Sequence, residues 1–184
     1  MKREELVEVI NKENKWIEGF KEKIQAEKEN NYMKFKGDII ITDPCYICKD
    51  KDWRRCDYGD NMERLGINNY ICRDTLYGDW SCTTFNSDTK EPIGNFCADA
   101  GMVAVFLLDE VLKYNPDFDY HINRPWTTTF IKDFDGEVNF EVVHTEGVYD
   151  KDTSWCKKGE KWEDDSVQVV GKGNINFVGK QTGF

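Results

Sequence analysis

Three aspartates in close company with small, aromatic or ring-constrained residues are the first candidates for chemistry in this chain. They are Asp43 in Asp43-Pro44-Cys45-Tyr46, Asp79 in Leu76-Tyr77-Gly78-Asp79-Trp80, and Asp99 in Cys97-Ala98-Asp99-Ala100-Gly101. Gathered in one pocket, such carboxylates could hold a divalent cation or share acid and base roles, with Tyr46 and His144 beside them. A nucleotide or phosphorylated ligand would need cationic donors, and Arg54, Arg55 and Arg73 are available. Nothing in the spacing demands convergence, and each acid has a plainer use. Pro44 fixes φ, pushes Asp43 into an extended conformation and cannot donate, so the tetrapeptide reads first as a built corner at a strand end. The Asp43 carboxylate would cap that corner, and the Tyr46 ring would pack inward. Small residues around Asp99 allow a close backbone approach. Arg73 beside Asp74 reads equally as a surface pair worth under about 1 kcal/mol.

Cys45-Tyr46-Ile47-Cys48 offers two thiols at metal-ligand spacing. A structural zinc site needs four ligands, and Cys56, Cys72 or Cys82 would have to complete it without forming a second close pair. A redox site would place the pair at a helix N-terminus in a βαβ unit, which is not the setting here. The seven thiols therefore read as free cysteines, and no metal or cofactor is expected. His121 and His144 stand in unrelated settings, a loop and a late strand, and read as ordinary histidines rather than bases. Walker, dinucleotide-binding, Gly-x-Ser-x-Gly and His-Glu-x-x-His signatures are absent. No catalytic residue is assigned.

Charge supplies a different candidate. The net charge is −10, and residues 109–165 hold fifteen acids against seven bases. Residues 1–30 are nearly balanced, with eight acids and seven bases. A field of this sign repels nucleic acid and anionic membrane and attracts basic surfaces. Its plainest use is solubility. Its sharper use is an acidic binding face made of Asp117, Asp119, Asp133, Asp135, Glu137, Glu163, Asp164 and Asp165. Phe118, Tyr120, Trp126, Tyr149, Trp155 and Trp162 are interleaved with it as anchors.

The elements that must position these residues follow from period and breakers. A chain of 184 residues suits one domain with an appendage. At this length about 70% of the unfolded surface can be buried, so no disulfide or metal staple is required. The aromatic share of 14% argues for a packed core. Residues 2–29 read as an amphipathic helix, with Leu6, Ile10, Ile17, Phe20 and Ile24 on one stripe. That stripe is expected to pack on the body, or otherwise to form a homodimer or partner interface. From residue 34 the period shortens. Strands are expected over 37–42, 69–73, 80–85, 93–98 and 102–108, then a short helix over 109–114 stopped before Pro116. Residues 126–132 and 137–144 flank Asp133-Phe134-Asp135-Gly136, which reads as a hairpin turn. Residues 166–170 and 174–178 read as a second hairpin, and 146–165 as a long polar loop. The fold class is α+β: a mainly antiparallel sheet, sandwich or open barrel-like, over 34–184, behind the helix of 1–30. No stretch approaches the ~20 apolar residues of a membrane span. The start Met-Lys-Arg-Glu-Glu lacks an apolar targeting segment, which with an odd number of thiols places the chain in the reducing cytoplasm.

The order Asp43-Pro44-Cys45-Tyr46, Trp53, Gly78-Asp79-Trp80, Asp99-Ala100-Gly101 resembles a family of small phage and bacterial proteins with a "DPCY" motif. The resemblance covers about residues 37–110, and the tetrapeptide is its specific part. Cys48 and the N-terminal helix depart from the pattern. The resemblance implies a β-rich accessory protein of phages and mobile elements, and it transfers no catalytic residue. With the missing signatures and the acidic segment, it leads to the expectation of a non-enzymatic, phage-type inhibitor. Such a protein would bind a basic host partner, such as a CRISPR effector or another nuclease, by occupying a groove made for phosphates. A ligand-binding protein or hydrolase using an Asp43, Tyr46, Asp79 and Asp99 pocket is the alternative. A particle component is a third reading, which the high charge and free thiols favour least.

Overall fold

A computed structural model of the protein describes residues 3–29, 32–119 and 126–183. The helix α1 runs from Arg3 to Glu29. Glu4 and Glu5 in its first turn suit the positive end of the helix dipole. Val9, Ile10, Trp16 and Ile17 stay exposed, Trp16 at 71%. Of the stripe expected to pack on the body, Ile10 and Ile17 are therefore solvent-exposed.

Among the described residues eight strands form one antiparallel sheet: β1 (Tyr32–Thr42), β2 (Tyr70–Asp74), β3 (Trp80–Asn86), β4 (Pro92–Ala98), β5 (Met102–Leu107), β6 (Thr128–Val148), β7 (Lys161–Gly173) and β8 (Phe177–Gln181). Their order across the sheet is β2-β5-β1-β6-β7-β8-β3-β4, so β2 and β4 are the two edges and the sheet is open rather than a closed barrel. It curls strongly. The Thr84 and Thr129 hydroxyls meet at 2.9 Å across the inner layer, and the Val167 amide reaches the Thr75 carbonyl.

Both faces of the central strands are covered, which explains their unbroken apolar runs. Ile39 and Ile41 point into the inner core with Phe35, Val105 and Phe134. Ile40 points the other way, with Ala104 and Phe106, onto a second core. All three isoleucines are fully buried, each stabilising the fold by about 1.5–3 kcal/mol. The second core is roofed by residues 44–69, a chain of 3₁₀ turns supplying Ile47, Cys56, Met62 and Ile67, and by helix α2 (Leu108–Tyr114) supplying Leu108 and Val111. The run at 102–107 is thus a strand buried on both sides.

Two expectations fail. The Asp133–Gly136 turn is no hairpin: β6 runs straight through it and pairs with β1 on both sides, from Thr42↔Thr128 to Tyr32↔Asn139. A bulge at Gly37–Ile39 takes up the misfit, with Asp133 in the left-handed region at φ 49°. The Asp38 carboxylate secures it by accepting from the Asp133 amide at 2.8 Å. A bulge of this kind kinks a strand without ending it. Nor is 146–165 a loop. β6 and β7 stay paired from Gly136↔Gly173 out to Val148↔Lys161, and only residues 149–160 connect them.

Candidate functional site

Thr42 ends β1, and Asp43 follows fully buried. Its Oδ1 accepts from the Cys45 amide at 2.9 Å, and Oδ2 from the Ala100 and Met102 amides at 2.7 and 3.3 Å. Burial pushes the Asp43 carboxyl above its ordinary range, and these three N–H groups pull it back. The Tyr46 hydroxyl donates to the Asp99 carboxylate, and burial with that bond pushes the phenol far up. The third segment joins through Thr75, whose hydroxyl lies 2.9 Å from the Gly78 carbonyl and 3.1 Å from that of Gly101. Gly78 and Gly101 both have positive φ, and a Cβ on Gly101 would touch the Gly78 backbone. The structure thus brings the three aspartate segments together through backbone and side-chain bonds. Within that corner Asp43 is enclosed and held by three amides, Asp99 is exposed and engaged by Tyr46, and Asp79 is exposed. Of the cationic donors, Arg55 is committed to Asp52 at 3.0 Å.

The acidic residues fall into separate places. Asp117 and Asp119 follow α2, and His121 and Tyr120 lie outside the described residues. Asp133, Asp135 and Glu137 are exposed on the middle of β6. There Lys36 is the cross-strand partner of Asp135 and Lys34 that of Glu137, with Lys34 Nζ 3.9 Å from the Glu137 carboxylate. Two of these three acids are thus faced by lysines of β1. Glu163, Asp164 and Asp165 stand further out, on a different kind of surface.

Beyond Asn139 β6 has left β1 behind, and β7 meets β8 only from Val169 onward. Among the described residues, 140–168 therefore form a two-stranded arm with no third strand. The period of two sets its faces. The inward row of the core, Val138 and Phe140, continues as Val142, His144, Glu146 and Val148, opposed by Val167, Asp165, Glu163 and Lys161. The other face carries Glu141, Thr145 and Gly147 opposite Gln168, Asp164 and Trp162. Glu163 and Asp165 thus share one face while Asp164 turns to the other, so the eight acids do not make one continuous face.

On the inward row His144 Nδ1 meets Asp165 Oδ1 at 2.7 Å, which holds the imidazole pKa above its usual value. Glu146 and Glu163 are directly opposed like charges, an arrangement that costs rather than contributes stability. His144, Glu146 and Glu163 place ligand atoms within 4.8 Å of one another, a donor set that could take a divalent cation. On the other face the Trp162 ring lies over its partner Gly147, where a Cβ would come within 2.6 Å of it. A hollow of about 230 Å³ opens beside this ring, between Glu146 and Lys161. The connecting loop is knotted by its own bonds. The Gly159 amide donates to the Tyr149 carbonyl at 2.9 Å, the Lys158 amide to Asp152 at 2.8 Å and the Cys156 amide to Thr153 Oγ1 at 3.2 Å. This frame holds Trp155 outward at 89% exposure.

No family model, curated protein or solved structure matches this chain. No helix among the described residues is long and apolar enough to cross a membrane. Sequence reasoning missed Glu146, the arm itself and the seating of Trp162 on Gly147. Its available signal was the two-residue spacing of His144 with Glu146 and of Glu163 with Asp165, the period of a strand rather than a loop.

Proposed function

We propose that this protein is a non-enzymatic binding protein whose β6–β7 arm docks on a basic protein surface. The observation that carries this reading is the exposure of Trp155 at the tip of a ribbon bearing Glu141, Glu146, Glu163, Asp164 and Asp165. An exposed ring on a self-braced loop is a suitable anchor, because little ordering remains to be done on binding. Carboxylates along a narrow two-stranded ribbon match a groove lined with Lys and Arg, the surface that nucleic-acid-handling enzymes offer to phosphates. The charge steers encounter, and the aromatic tip supplies lasting affinity. The phage-type inhibitor, aimed at a CRISPR effector or another nuclease, is the form this reading takes. The pocket alternative draws less support, since the Asp43 carboxylate is already spoken for by three amides.

The test is capture of basic nucleases, a CRISPR effector included, on the immobilised protein at low and high salt. Binding should fall steeply with salt and be displaced by nucleic acid. Absent or salt-insensitive capture overturns the proposal.

A further inference from the structure

The Cys-x-x-Cys of the sequence is not the thiol pair that the fold makes. Cys45 sits beside Asp43, and burial together with that carboxylate's charge pushes its thiol far up. Cys48 turns the other way and meets Cys56, Sγ to Sγ, at 3.5 Å. A third sulfur joins them: Met62 Sδ lies 3.7 Å from Cys48 Sγ. All three belong to the 3₁₀ roof over the second core. Cys56 and Met62 are fully buried and Cys48 is half-buried, so the cluster is sheltered.

Each carrier is pinned independently. The Cys48 amide donates to the Pro44 carbonyl at 3.1 Å, that of Cys56 to Asp52 at 3.2 Å, and that of Met62 to the Tyr70 hydroxyl at 2.9 Å. Hard ligands are kept out of the way. The nearby Asp52 carboxylate is taken by the Tyr114 hydroxyl at 2.7 Å and by Arg55 at 3.0 Å. Two thiols and a thioether are a soft donor set, suited to Cu(I) and unsuited to magnesium, calcium or manganese. Metal–sulfur bonds of about 2.3 Å place three trigonal sulfurs about 4 Å apart, a few tenths of an ångström wider than the two spacings from Cys48 Sγ, to Cys56 and to Met62.

We infer that Cys48, Cys56 and Met62 form a three-sulfur site for Cu(I). Binding makes three Cu–S bonds. It releases one proton from each thiol to solvent, and it leaves copper in the +1 state with no electron transferred. The loaded site ties the three turns of the roof together.

The test is an anaerobic titration of the full-length protein with Cu(I) held by bicinchoninate, followed by copper withdrawn from that chelator and by sulfur-to-copper absorption in the near ultraviolet. One equivalent should be withdrawn. Loss of an outer-sphere partner already weakens metal sites about 10–100-fold, so Cys48→Ser and Cys56→Ser should each cost at least that. Met62→Leu, which conserves core volume, should keep the fold by circular dichroism and weaken copper binding by about tenfold. Cys45→Ser should bind as the parent does. The inference is overturned if the chelator keeps all the copper, if Cys45→Ser weakens binding as much as Cys48→Ser, or if Met62→Leu binds unchanged.

Discussion

The corner at Asp43 and the β6–β7 arm are opposites in construction. At the corner the acidic group is enclosed, and three amides hold its two oxygens. On the arm the acids are exposed, two of them face each other, and a tryptophan is held out in water. The corner carries the most distinctive tetrapeptide in the chain, and the arm comes from its least distinctive stretch. Residue types that are unusual together can mark a demanding piece of backbone geometry. Chemistry offered to a partner can sit on residues that look, in sequence, like ordinary solvated surface.

The largest way to break this contrast is at the corner. Asp43→Ala leaves one buried and two part-buried amide donors without an acceptor, at about 1–3 kcal/mol each if none finds water. We expect a stability loss of about 3–5 kcal/mol, read as a lower urea midpoint with an unchanged slope. Asp43→Asn keeps the shape but turns one donor toward a donor, and should cost about 1–3 kcal/mol. On the arm the signs reverse. Trp155→Ala should leave stability within about 0.5 kcal/mol and cost about 2 kcal/mol of partner affinity in a calorimetric titration. Gly147→Val, which pushes its β-carbon into the Trp162 ring, should cost about 1–3 kcal/mol and shift tryptophan emission to the red.

The smallest effect is in pH. The bond from Asp165 raises the His144 pKa above 6.5. A raised pKa means that folding favours the protonated ring. The contribution is therefore complete below pH 6.5 and is lost as pH climbs through the folded value. Both groups are exposed, so the change in stability should be slight. The direct readout is the His144 ring titration by NMR, which Asp165→Asn should move back toward 6.5.

Much of the scaffold is legible in the sequence, because burial writes its period there. Ile39-Ile40-Ile41 and Met102–Leu107 read as strands, and their unbroken apolar character reflects cover on both faces. The helix at 108–114 and the pairing of β7 with β8 also follow from pattern and breakers, although residues 171–173 belong to β7 and the turn lies at 174–176. The Asp133–Gly136 error arose because turn residues serve bulges as well, and only the partner strand decides between the two. β1, nearly a hundred residues earlier, crosses both halves. The arm was illegible for another reason. A ribbon without a third strand or a covering layer buries little, so its residues alternate without an apolar row to reveal them. The Cys48–Cys56 approach was hidden by the winding of the 3₁₀ roof, which no local period encodes.

The central claim is that partner binding resides on the arm and not at the corner. Its most direct test sets two variants side by side against a nuclease captured by the parent protein. One is the charge reversal Glu163→Lys, Asp164→Lys, Asp165→Lys, and the other is Asp43→Asn in conditions where it remains folded. The account predicts that the arm variant loses capture while keeping its urea midpoint, and that the corner variant keeps capture while its midpoint falls. Capture retained by the charge-reversed arm and lost by folded Asp43→Asn would contradict it.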